Sequence, residues 1–89
     1  MKIKDGFVLE EVAGSYLAVA VGDRADSFSG MVRLNSTGAF LWNLMKDKDV
    51  SREELIEEVL KAYTDAPREL VEKDALAFEE KLRENGILE

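Results

Sequence analysis

The stretch MVRLNSTGAFLWNL, residues 31–44, decides the fold because its apolar periodicity changes half way along. Residues 31–34 alternate with a two-residue period, as in a strand that covers a core with one face. Residues 35–38 offer side chains that cap a helix start, and apolar residues at three- and four-residue spacing follow. We predict a strand over residues 28–34 that passes directly into a helix ending near Lys46.

Two alternating runs precede this stretch and predict a β-hairpin. They are residues 7–12 and 16–21, separated by Ala13-Gly14-Ser15, whose glycine permits a tight turn. Residues 22–27 are polar and contain turn formers, so they predict a connection to the third strand. One face of the resulting three-stranded sheet is expected to cover the core.

Two further helices are predicted after residue 46. Ser51 and Glu54 match a capping box that starts the second helix. Pro67 marks the start of the third, since proline is favoured in the first turn of a helix. The expected inward residues are Leu55, Ile56, Val59, Leu60 and Tyr63 in the second helix, and Val71, Ala75, Phe78 and Leu82 in the third.

The end of the chain completes the predicted fold. Asn85-Gly86 predicts the end of the third helix, and Ile87-Leu88 is expected to fold back onto the core. The order of elements predicts an α+β fold of winged helix-turn-helix layout, a three-stranded antiparallel sheet followed by three helices. With 89 residues, the chain is expected to form one domain over residues 1–89.

Composition narrows the classes of function. The chain has no histidine and no cysteine, and it lacks the glycine-rich loops that bind nucleotide phosphates. We therefore expect no enzymatic activity, no cofactor and no metal site. The net charge of −7 disfavours binding to nucleic acid, the lack of a long apolar segment predicts a soluble protein, and the lack of cysteine fits a cytoplasmic one.

Several polar and aromatic residues have both a functional and a structural interpretation. Glu53, Glu54, Glu57 and Glu58 could bind a divalent cation, but such a run is more often the solvated face of a helix, as we also expect for Glu79, Glu80 and Glu84. Trp42 lies beside the apolar stripe of the first helix, so it either contacts the core or anchors a partner. We favour the core.

The third predicted strand is the most informative element. It follows a polar connection and leads directly into a helix, so one of its edges is expected to stay unpaired. An extended peptide can pair with such an edge. If the third helix lies alongside, the edge and the helix form a groove that reads alternate residues of a bound peptide.

The same stretch resembles a known family. Residues 34–44, LNSTGAFLWNL, are similar to the pattern L-N-x-T-G-x-x-[IL]-W-x-L of PqqD-like proteins, and the resemblance extends over nearly the whole chain. It implies a non-catalytic domain that recognises the leader of a ribosomally made precursor peptide and presents it to a modifying enzyme, often a radical S-adenosylmethionine enzyme. It does not imply the pyrroloquinoline quinone pathway in particular.

The resemblance also implies where the peptide binds, namely antiparallel to the third strand and against the third helix. The strand residues implied are Gly30, Met31, Val32, Arg33 and Leu34, and the helix residues are Val71, Asp74, Ala75, Phe78 and Leu82. Core packing is the alternative for most of them, and we expect about half to touch peptide. Arg33 and Lys73 are candidate cations for an acidic leader.

Two matters stay open at this point. A winged helix-turn-helix domain can also be a DNA-binding regulator, which is the main alternative despite the acidic composition. The oligomeric state, monomer or homodimer, has no signal in the sequence.

Overall fold

The computed structural model of the protein describes residues 1–26 and 31–89. A three-stranded antiparallel sheet is followed by three helices, which confirms the predicted α+β fold. In chain order the elements are β1 (Phe7–Val12), β2 (Ser15–Ala20), a short 3₁₀ helix (Gly22–Asp26), β3 (Met31–Leu34), α1 (Ser36–Met45), α2 (Arg52–Ala62) and α3 (Arg68–Glu84). Residues 28–30 of the predicted third strand lie outside the described residues.

The sheet has the order β1-β2-β3, so β2 is central. Val12 pairs with Ser15 across the two-residue turn Ala13-Gly14, in which both residues have positive φ values, 51° and 81°. This is the mirror-image turn that matches the right-handed twist of a hairpin. On the other side of β2, Ala18 pairs with Val32.

Side-chain caps position α1 and α2 as predicted. Asn35 accepts a hydrogen bond from the Gly38 amide at 2.7 Å, which fixes the turn from β3 into α1. Ser51 and Glu54 form both hydrogen bonds of the capping box at the start of α2. After α3, Gly86 has a φ of 71° and the Ile87 amide donates to Leu82, so the chain turns back towards the core.

The core lies between the sheet and the helices. It contains Val32 and Leu34 of β3 and the predicted stripe of α3, namely Val71, Ala75, Phe78 and Leu82. Trp42 is 2% exposed, so its interpretation as a core residue is confirmed. Ile87 and Leu88 are buried, as predicted, and Leu88 forms a β-bridge with Ile3.

The predicted burial is wrong for two residues: Tyr63 was expected to face the core, and Glu79 was expected to be solvated. Tyr63 is 43% exposed because the backbone leaves the helical conformation at this residue, and its ring packs edge-on against Phe40. Glu79 is 3% exposed rather than solvated. Its carboxylate accepts hydrogen bonds from Arg52 at 2.7 Å and Arg83 at 3.1 Å, so it links α2 to α3.

None of the described helices combines the length and the apolar composition that crossing a membrane requires.

Candidate functional site

The outer edge of β3 presents backbone groups for which the described part of the chain provides no pairing strand. The register shows which groups these are. Because the two-residue turn makes Val12 and Ser15 a hydrogen-bonded pair, the backbone groups of alternate β2 residues, Tyr16 and Ala18 among them, point towards β3.

It follows that Val32 and Leu34, which pair with Ala18 and Tyr16, direct their amides and carbonyls inwards to β2. Met31 and Arg33 direct theirs to the open edge. The side chains have the complementary pattern, since Val32 and Leu34 are each 5% exposed whereas Met31 is 60% exposed. At the open edge, the amides and carbonyls of Met31 and Arg33 can therefore pair with an added strand. The side chains of Val32 and Leu34 belong to the core.

A groove lies between the junction of β3 with α1 and the helix α3. Its cavity of about 180 Å³ is lined by Leu34, Asn35, Thr37, Gly38 and Leu41 on one side and by Asp74, Ala77, Phe78 and Lys81 on the other. Gly38 lines the groove where the packing is close, because a Cβ at this position would lie 3.2 Å from the Asn35 Oδ1, 3.3 Å from the Leu34 Cβ and 3.5 Å from the Phe78 ring. The glycine of the quoted motif thus allows close approach of α1, β3 and α3.

A second depression adjoins the groove further towards the start of α3. It shares Thr37, Leu41 and Asp74 with the groove and adds mainly apolar residues, which are Val59, Tyr63, Ala66, Leu70, Val71 and Ala75. Leu70 is 51% exposed. The two depressions are therefore neighbours along one side of α3.

The predicted site residues are thus partly assembled. Leu34, Asp74 and Phe78 line the groove, and Val71 and Ala75 line the adjoining depression. Met31 and Arg33 lie on the open edge, whereas Val32 and Leu82 are core residues that neither depression includes. Gly30 lies outside the described residues.

Lys81 is a groove residue that the sequence prediction missed. Its Nζ donates a hydrogen bond of 2.5 Å to the carbonyl oxygen of Arg33, 48 residues away in the chain. Its position three residues after Phe78, on the same side of a helix, is the only sequence signal that could have indicated it. Neither predicted cation, Arg33 or Lys73, has an ion-pair partner within 4.0 Å among residues 1–26 and 31–89.

The acidic face of α2 has a structural explanation. Arg68 bonds to Glu53 at 2.6 Å and to Glu57 at 3.3 Å, and these carboxylates raise the pKa of its guanidinium. Within the described ranges, no group of three or more aspartates and glutamates is arranged to hold a metal ion.

Comparisons with known proteins identify relatives of the chain. The model of the family "Coenzyme PQQ synthesis protein D (PqqD)" matches residues 7–88. No curated protein sequence gives a significant match. Among solved structures, "TbiB1 in Complex with the TbiA(beta) Leader Peptide" is similar over the whole of this chain and 95% of that chain, with a TM-score of 0.73 and 22% sequence identity.

Proposed function

Because the chain belongs to the PqqD family, we propose that it binds the leader segment of a ribosomally synthesised precursor peptide and presents it to a modifying enzyme. The peptide pairs with β3 as an additional antiparallel strand and lies in the groove against α3. The chain itself contributes binding and no covalent chemistry.

The observation that carries the proposal is the outward direction of the Arg33 and Met31 backbone groups beside a groove. Each outward residue exchanges two hydrogen bonds with a guest strand, and alternate guest side chains enter the groove. The groove combines apolar surface from Leu34 and Phe78 with one anion and one cation, Asp74 and Lys81. An extended peptide with mixed apolar and charged residues fits this chemistry.

The structural relative supports the same proposal, because it is a protein described in complex with a leader peptide. We propose a radical S-adenosylmethionine enzyme, or another peptide-modifying enzyme, as the partner that receives the peptide. The family resemblance supports this choice of partner.

DNA binding has no comparable support. The third helix, which would enter the major groove in a winged helix-turn-helix protein, contains four basic and six acidic residues over Arg68–Glu84. Its net charge of −2 would oppose the approach of phosphates.

A matched pair of proline variants tests the proposal. Arg33→Pro removes an amide that faces the open edge of β3, whereas Glu11→Pro removes the equivalent outward amide of β1, on the far edge of the sheet. Proline at Val32, the position suggested by the sequence alone, would instead remove an amide that the register directs to Ala18 inside the sheet.

Calorimetry would measure both variants against a synthetic leader, taken from a precursor peptide encoded beside the gene. We expect roughly micromolar affinity for the wild type and for Glu11→Pro, and a loss of more than about tenfold for Arg33→Pro. Equal affinity of two folded proline variants would exclude pairing at β3, and no affinity in the wild type would exclude the function.

A further inference from the structure

The hydrogen bond from Lys81 to the Arg33 carbonyl occupies a group that an added strand needs. We propose that Lys81 is a specificity-determining residue: it releases this carbonyl when a peptide docks and then pairs with an acidic side chain of the peptide. The inference rests on the proposed function and adds a charge requirement to it.

The register of the sheet shows that a guest amide and the Lys81 ammonium would bind the same carbonyl oxygen, that of Arg33. A guest residue that pairs with Arg33 accepts a hydrogen bond from the Arg33 amide and donates its own amide to the Arg33 carbonyl. In the free protein that carbonyl already accepts from the Lys81 ammonium at 2.5 Å. A carbonyl oxygen can accept two hydrogen bonds, but the ammonium would then share it with the guest amide, and the ammonium gains more from pairing with a carboxylate than from a shared carbonyl.

A released ammonium needs a new partner. In the part of the chain that the structure describes, no carboxylate lies within 4.0 Å of Lys81 Nζ. The neighbouring groove surface from Leu34, Ala77 and Phe78 is largely apolar. A guest carboxylate would pair with this ammonium, and the pairing would offset the loss of the bond to the carbonyl.

The alternation of side chains indicates where the guest acid belongs. Guest residues on either side of the one that pairs with Arg33 lie opposite Leu34 and Val32 and face the same way as these two core residues. The neighbour opposite Leu34 enters the groove, which Leu34 lines and Val32 does not. The Lys81 ammonium lies at the Arg33 carbonyl, between these two guest positions, so the remaining position, opposite Val32, takes the acid.

In an antiparallel guest, the residue opposite Leu34 precedes the residue opposite Val32 by two positions. The proposal therefore specifies a short pattern, an apolar residue followed two positions later by aspartate or glutamate.

A displayed library of short random peptides tests this proposal and does not require the sequence of the natural leader. Selections would use the wild-type chain, Lys81→Met, Lys81→Arg and a matched control, Lys46→Met, which removes the same charge from an exposed position that lines neither depression. Arg33→Pro would show which selected peptides depend on the β3 edge.

We expect the wild type, Lys81→Arg and Lys46→Met to enrich the apolar-x-acid pattern, and Lys81→Met to lose the acid preference. For a peptide selected on the wild type, exchange of its glutamate for glutamine should weaken binding about threefold to fivefold. The same exchange should have no effect with Lys81→Met, which should bind the glutamine peptide at least as tightly as the wild type does.

Failure of this inference differs from failure of the proposed function. Peptides that depend on Arg33 but show the same acid preference with and without Lys81 would overturn the role of Lys81 alone. A wild-type selection that yields no peptide dependent on Arg33 would overturn both.

Discussion

The outer edges of β1 and β3 present the same kinds of backbone groups but differ in what supports them. Along β3, Val32 and Leu34 are each 5% exposed, and α3 lies beyond the edge. Along β1, Phe7 is buried but Glu11, on the same face, is exposed. An open edge can become a selective site where the strand is fixed to the core and a second element reads the guest side chains.

The largest expected contrast between the two edges is in stability. Phe78→Ala removes a ring that is 6% exposed and packs beneath the groove, so it should lower the free energy of unfolding by about 3 kcal/mol. Val12→Ala, at a position 53% exposed on β1, should change it by less than about 0.5 kcal/mol. Urea unfolding would measure both, and similar losses would show that the edges are equally anchored.

Glu79 should make the free energy of unfolding depend on pH, through its contacts on α3. The hydrogen bond from Arg52, followed by that from Arg83, lowers the pKa of Glu79 below its ordinary value of 4.5, despite the opposing effect of burial. Since the pKa is lower in the folded state, this stabilisation is complete above pH 4.5 and disappears as the pH falls through the folded-state value.

Glu79→Gln should therefore cost about 1–2 kcal/mol at pH 7, less than for a fully buried pair because the side chains of Arg52 and Arg83 are 49% and 62% exposed. The cost should shrink in acid, where the wild type is protonated as well. Urea unfolding at pH 7 and near pH 3 would measure the difference, and a cost that does not change with pH would contradict the role of the charge.

Narrowing the groove should reduce binding without destabilising the fold. Ala77→Leu adds volume to an exposed position that lines the groove, and we expect about tenfold weaker binding of a leader peptide. Ala62→Leu is the matched control, because it adds the same volume to an exposed position at the end of α2. Calorimetry would compare them, and equal affinities would place the peptide elsewhere.

The smallest effect is expected at the hairpin on the β1 side. Ala13 has a φ of 51°, a conformation that asparagine tolerates better than alanine. Ala13→Asn should raise the free energy of unfolding by about 0.5 kcal/mol and leave peptide affinity unchanged. Thermal unfolding would detect the gain, and a change in affinity would show that the two sides of the sheet are coupled.

Local sequence patterns were sufficient to predict most of the fold. The Ser51 capping box, the β1 boundaries and the α3 stripe from Val71 to Leu82 depend on residues close together in the chain, and the structure confirms them. The alternation of residues 31–34 likewise predicted which side chains of β3 are buried.

Contacts between distant segments were not predictable in the same way. The bond from Lys81 to Arg33 spans 48 residues, and the bond from Arg52 to Glu79 spans 27. Neither pair has a local periodicity, and a glutamate in a charged helix is usually solvated. The fold could therefore be inferred from the sequence, whereas the charge that borders the site became evident only with the arrangement of α3 beside β3.

The buried position of Trp42 gives the molecule an internal optical reporter. It is the only tryptophan in the chain and is 2% exposed, so its indole emission reports whether the core is intact. Tyr63, which lines the depression beside the groove, is 43% exposed and accessible to a guest. Emission from Trp42 can thus follow unfolding of the core without an added label.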